Sequence, residues 1–146
     1  MVEMLLAGGA DVNASPRGLF GNALKAASFG GHRSVVKLFL DKGANVHARD
    51  GIYYTTALSE ASDVGHHAVV ELLLDRGAEA NWREWGDESG LNDPLVGASD
   101  RGHQAVVKLL LDRGAKPGYQ GGRARDAALM KGHQAIADLL LERALL

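Results

Sequence analysis

The chain has 146 residues, of which 46% are hydrophobic and 23% charged, with a formal net charge of −2 and no cysteine. This size suits one compact domain or one short array, and the composition excludes a disulfide framework, a thiolate metal site and a basic nucleic-acid-binding stripe. The opening MVEMLLAGGADV lacks the basic flank and long apolar core of a secretory signal, and no apolar run approaches the roughly 18 residues of a membrane span, so a cytoplasmic or nuclear protein without a membrane partner is expected.

In chain order, the first predicted element is a truncated one: VEMLLAGGADVNA from Val2 lines up with Val36 to Ala48. A short helix is predicted after Asn22, followed by GHRSVVKLFLDKGA from Gly31, and the pattern returns after Thr56 with GHHAVVELLLDRGA from Gly65. Asp93 and Pro94 open the next short helix, before GHQAVVKLLLDRGA from Gly102 and a looser GHQAIADLLLERAL from Gly132. Recurrence at roughly 30 to 37 residues marks a solenoid, in which each unit buries its apolar face against its neighbours.

Each unit reads as an antiparallel helix pair. In the long helix, Val35, Val36, Leu38, Phe39 and Leu40 are apolar while Ser34, Lys37 and Asp41 fall on one narrow polar stripe, so the helix packs on several sides. Gly9, Gly43, Gly77 and Gly114 sit where a left-handed residue ends the helix, and Lys42, Arg76 and Arg113 precede three of them, where cations suit the helix dipole. In the short helix, Asn22, Thr56 and Asp93 are N-caps and Pro94 occupies a first-turn position. The residues that follow are mostly small, with Leu24, Leu58 or Leu95 as the single large apolar plug.

These segments resemble the ankyrin repeat, most fully from Gly102 to Ala115 and from Gly9 to Ala14, and the resemblance covers nearly the whole chain. It implies an all-α ankyrin-repeat solenoid with hairpin-like finger loops and a concave face that binds other proteins. The repeats are expected at about 1–14 (partial), 15–48, 49–82, 83–118 and 119–146, in a single domain. The family's Thr-Pro-Leu-His opening is replaced by Asn22-Ala23-Leu24-Lys25, Thr56-Ala57-Leu58-Ser59 and Asp93-Pro94-Leu95-Val96, which removes a hydrogen bond the family's histidine normally makes. The Asn-Ala-Leu version is similar to units of long fungal-type arrays.

The period is uneven: His32 to His66 spans 34 residues, His66 to His103 spans 37 and His103 to His133 only 30. The junction Ala80 to Asn92 is therefore enlarged and Lys116 to Gly122 trimmed, and such insertions fall in loops on one face, often the binding face. Aromatic residues gather in the junctions, and Trp, Tyr and Arg are the types most enriched at interface hot spots. Tyr53, Tyr54, Trp82, Arg83, Trp85 and Tyr119 are thus candidate contacts, although Phe20 and Tyr54, at equivalent positions before the caps, also suit packing under the finger. Phe29, Asp63, Val64, Asp100 and Arg101 end the short helices and complete the candidate surface on the concave face.

His32, His66, His103 and His133 recur once per unit, about one helix spacing of 8–10 Å apart, too far to share a metal, so a structural role at the helix start is expected. No nucleophile pair, phosphate loop or carboxylate constellation stands out. The expected function is a non-enzymatic protein-interaction module, without cofactor or metal. The alternative is a stacking segment or fragment of a larger scaffold. Met1, Met4 and Leu5 at one end and Leu139, Leu140, Leu145 and Leu146 at the other are expected to be incompletely covered, which favours a longer array or self-association.

Overall fold

The computed structural model describes residues 2–16, 18–51, 53, 55–81, 92–118 and 122–146. Its helices are α1 (Val2–Ala7), α2 (Ala23–Phe29), α3 (Arg33–Asp41), α4 (Ala57–Val64), α5 (His67–Asp75), α6 (Pro94–Arg101), α7 (Gln104–Asp112), α8 (Arg123–Met130) and α9 (Gln134–Ala144). No strand occurs among the described residues. The short helices α2, α4, α6 and α8 pack in sequence into one layer, and the long helices α3, α5, α7 and α9 into a second. Each short helix also packs on the long helix that follows it.

The starts of three short helices are fixed locally. Asn22 Oδ1 accepts from the Lys25 N–H at 2.9 Å, Thr56 Oγ1 from Ser59 at 3.1 Å, and Asp93 Oδ1 from Leu95 at 2.8 Å, with Pro94 at the first turn. Each cap satisfies a donor that the helix itself leaves unpaired, worth about 1 kcal/mol. α8 departs from this pattern, since it follows Gly122 and has no side-chain cap. At the other end of the units, Gly77 ends α5 at φ +92°, and the turn lets the Ala78 N–H reach the Leu73 carbonyl at 3.0 Å.

Leu24, Leu58 and Leu95 are buried as the plugs of their units. Burying such a side chain contributes about 1.5–3 kcal/mol. In α8 the equivalent residue is Arg125, and Ala124 and Ala128 supply the buried face instead. Between the layers run Val36, Val69, Val70, Leu73, Val106, Val107, Leu110, Ile136 and Leu140. α1 adds only Val2 and Leu6, both partly buried against this core.

The expected exposure at the ends is corrected in one respect. Met4, Leu5, Leu145 and Leu146 are exposed, whereas Leu140 is buried, because it repeats the inward position of Leu73 and Leu110. The exposed leucine of that turn is Leu141. Leu139 is partly buried, and Met1 lies outside the described residues.

Candidate functional site

The recurring histidines join the units to each other. His66 Nε2 donates to the Phe29 carbonyl at 2.9 Å, His103 Nε2 to the Asp63 carbonyl at 2.9 Å and His133 Nε2 to the Asp100 carbonyl at 3.1 Å. Each of these histidines stands at the N-cap position of its long helix, as expected, but its side chain makes no cap hydrogen bond there. The ring reaches back to the preceding unit, where a carbonyl in the last turn of the short helix has no partner in its own helix. Each ring also lies over the glycine before the previous histidine. A Cβ at Gly31 would stand 2.6 Å from the His66 ring, and one at Gly65 only 2.5 Å from the His103 ring. Both glycines have positive φ, +72° and +87°, so the Gly-His pair is at once a left-handed turn and a seat for the next unit's histidine.

The long helices carry a parallel ladder. Arg76 reaches back to Asp41 at 2.7 Å, Arg113 to Asp75 at 2.7 Å and Arg143 to Asp112 at 2.8 Å. Hydrogen bonds from Lys37 and Arg76 hold the Asp41 carboxyl below its ordinary range. These pairs are exposed and individually weak. They recur in the same register at each of these three junctions.

Other cross-links occupy the finger roots. The Asn13 side chain donates to the Gly43 carbonyl at 3.1 Å and accepts from the Asn45 N–H at 2.7 Å, and Asn81 does the same with Gly114 and Lys116. At the position of the family's missing histidine, Lys25 donates to the carbonyls of Asp50 and Thr55, and Ser59 to the carbonyl of Asn92. The expected loss of a hydrogen bond there is thus corrected, because other donors replace the imidazole in two of the three units. Burial pulls the Lys25 ammonium below the usual lysine range, partly offset by Asp50, whose carboxylate lies 3.4 Å away. Burial pushes Asp50 up, but hydrogen bonds from Ser15 and Asn22 and the Lys25 charge outweigh it and leave it low.

One groove opens on the short-helix face between α4, α6 and α8, with a volume of about 340 Å³. Its walls are Asp63, Val96, Gly97, Asp100 and Arg101, faced by Arg123, Asp126, Ala127 and Met130 from α8. At this groove α6 has glycine, Gly97, where α2 has Ala26 and α4 has Glu60. Arg101 spans its rim, 3.5 Å from Asp63 and 3.8 Å from Asp100, contacts loose enough to rearrange around an incoming group. Arg123 Nη1 makes no hydrogen bond with the described residues. An apolar floor with convergent charged groups suits a side chain of another protein.

Of the residues expected on this face, Asp63, Asp100 and Arg101 come together at the groove. Phe29 stands apart on α2, 42% exposed, its ring 4.9 Å from that of Phe20, and Val64 is half-buried. Tyr53 is exposed, while Tyr54, Trp82, Arg83, Trp85 and Tyr119 lie outside the described residues. The sequence reading missed Gly97, Val96 and Met130. Met130 repeats the position of Phe29, Asp63 and Asp100, and a unit-by-unit alignment could have found it.

Among the described residues, no group of three or more His, Asp or Glu side chains is placed to hold a metal, and no helix is long and apolar enough to cross a membrane. A family model described as ankyrin repeats (3 copies) matches residues 1–84. No curated protein aligns significantly with the chain.

Proposed function

The chain belongs to the ankyrin repeat family, whose members generally act in protein–protein interaction, and on that footing we propose that it is a non-enzymatic module that grips a protein partner at the groove between α4, α6 and α8. The observation that carries this reading is the convergence of Asp63, Asp100 and Arg101 with exposed Met130 around a cleft bare of side chains at Gly97. Finger-loop residues Tyr53, Tyr54, Trp82, Arg83, Trp85 and Tyr119 extend the proposed contact beyond the groove. A cytoplasmic or nuclear setting goes with this reading, since the cysteine-free composition fits a reducing compartment.

Gly97→Leu tests it, because Gly97 lies on α6 without positive φ and the new side chain competes with an incoming group for the space beside Asp63. A Cβ at that site would stand 3.3 Å from Asp63 Oδ1 and 3.5 Å from Asp63 Cβ, so the Asp63 side chain has to give way by a few tenths of an ångström. Affinity capture from cell extract with the wild type and this variant, each verified as folded by circular dichroism, is expected to lose a partner selectively with the variant. An identical set of captured proteins would reject the groove as the contact. Tyr53→Ala, run alongside, separates the finger's share from the groove's.

A further inference from the structure

The charges around the groove are not explained by helix stability. Asp63 and Asp100 each stand one residue before the end of their helices, α4 and α6, where a carboxylate opposes the helix dipole. Among the described residues both have the same single counter-charge, the Arg101 guanidinium, at 3.5 and 3.8 Å. Both distances exceed the roughly 2.7–2.9 Å of a charge-assisted hydrogen bond. Asp126 lines the groove from α8 and pairs with no cation among the described residues. Three carboxylates therefore share one loosely held guanidinium.

Arg123, the other cation of the groove, has no local task. It stands ten residues before His133, the register of the caps Asn22, Thr56 and Asp93, but a guanidinium has no acceptor atom and cannot cap. Its Nη1 is buried and makes no hydrogen bond with the described residues, a state that calls for an oxygen acceptor. An anion supplying that oxygen would also face Asp63, Asp100 and Asp126, whereas a neutral peptide carbonyl would not be repelled.

Between the charges the lining is short or apolar, with no side chain at Gly97 and with Ala127 and the 85% exposed Met130 across from it. Long cationic side chains lay their stems along such a surface while the head reaches a polar rim. The volume of about 340 Å³ is at the small end of ligand clefts, about 300–1,000 Å³, and suits one long side chain rather than a folded surface.

Resting on the groove as the contact surface, we infer that its occupant is an arginine or lysine side chain carried on an extended segment of the partner. The stem lies over Gly97, Ala127 and Met130, the head displaces Arg101 from Asp63 and Asp100, and a backbone carbonyl of the segment accepts from Arg123. Arg101 is the stand-in for the incoming cation.

Random short peptides on phage, selected on the wild-type chain and depleted on folded Gly97→Leu, provide groove-dependent probes for titration as synthetic peptides. Each is expected to carry a basic residue, and exchanging it for norleucine, which keeps the stem without the charge, should weaken binding at least about tenfold. Asp63→Asn combined with Asp100→Asn should do the same, and it removes charges that oppose the helix dipoles, so the fold is retained. Arg101→Ala should tighten binding by removing the internal competitor. Groove-dependent peptides without a basic residue, indifference to norleucine or to the paired Asp→Asn changes, or a loss with Arg101→Ala would overturn the inference while leaving the groove as the contact. A selection that yields no peptide sensitive to Gly97→Leu would reject the groove itself.

Discussion

His66 and Phe29, from consecutive units, are joined by a 2.9 Å hydrogen bond between ring Nε2 and backbone carbonyl. The same ring leaves no room for a side chain at Gly31. The repeat's most visible motif therefore describes an interface: the glycine of one unit and the histidine of the next form one contact.

Substituting these glycines separates backbone strain from steric conflict. Gly65→Ala and Gly132→Ala both place alanine in a left-handed conformation, which costs about 1–2 kcal/mol. Only Gly65→Ala also drives a Cβ into an imidazole, that of His103. Urea denaturation should show Gly65→Ala to be the more destabilising by at least about 1 kcal/mol, from displacement of the ring and loss of its hydrogen bond. Equal costs would mean that the histidine seat contributes nothing.

The Asn13 and Asn81 bridges predict a stabilising change. His47 occupies the same position in the unit between them, and its ring makes no such bridge among the described residues. His47→Asn should place an amide against the Gly77 carbonyl and the Glu79 N–H, raising stability by about 0.5–1 kcal/mol. The check is a thermal melt, with Asn13→Ala as the matching loss.

Lys25 is buried against two carbonyls and the Asp50 carboxylate. Lys25→Met keeps the stem but strips the charge from Asp50 and leaves the carbonyls without their donor, so a loss of about 2–3 kcal/mol is expected. Chemical denaturation measures it, and a neutral outcome would show that the apolar stem alone holds this finger root.

Asp93 caps α6 from a buried position, and burial raises its carboxyl above the ordinary range, offset only in part by the N–H groups of Leu95 and Val96. A raised folded value means that ionisation opposes folding. The penalty is absent below the unfolded value and grows as pH rises through the folded one. Asparagine caps as well as aspartate and carries no charge. Asp93→Asn should therefore melt slightly higher than wild type at pH 7, with the difference vanishing toward pH 3. A difference that widened in acid would contradict the sign.

The helix pairs were legible because their signals act over a few residues. Asn22, Thr56 and Asp93 each satisfy an N–H two or three positions on, and Leu24, Leu58 and Leu95 follow at a fixed offset. The groove was half legible. Asp63, Asp100 and Arg101 were found at the helix ends, but Gly97 contributes by lacking a side chain, and that becomes visible only when α4 and α8 stand on either side of it.

By itself the sequence determined the repeat, its register, its caps and its helical layers, since hydrophobic spacing and capping chemistry are properties of short stretches of chain. Tertiary structure decided which carbonyl each histidine meets, that Lys25 and Ser59 replace the absent imidazole, and that Leu140 is inward while Leu141 is exposed. Those outcomes join residues some 25 to 40 positions apart in the chain. Their partners are chosen by how one helix pair seats on the next, and no local preference encodes that choice.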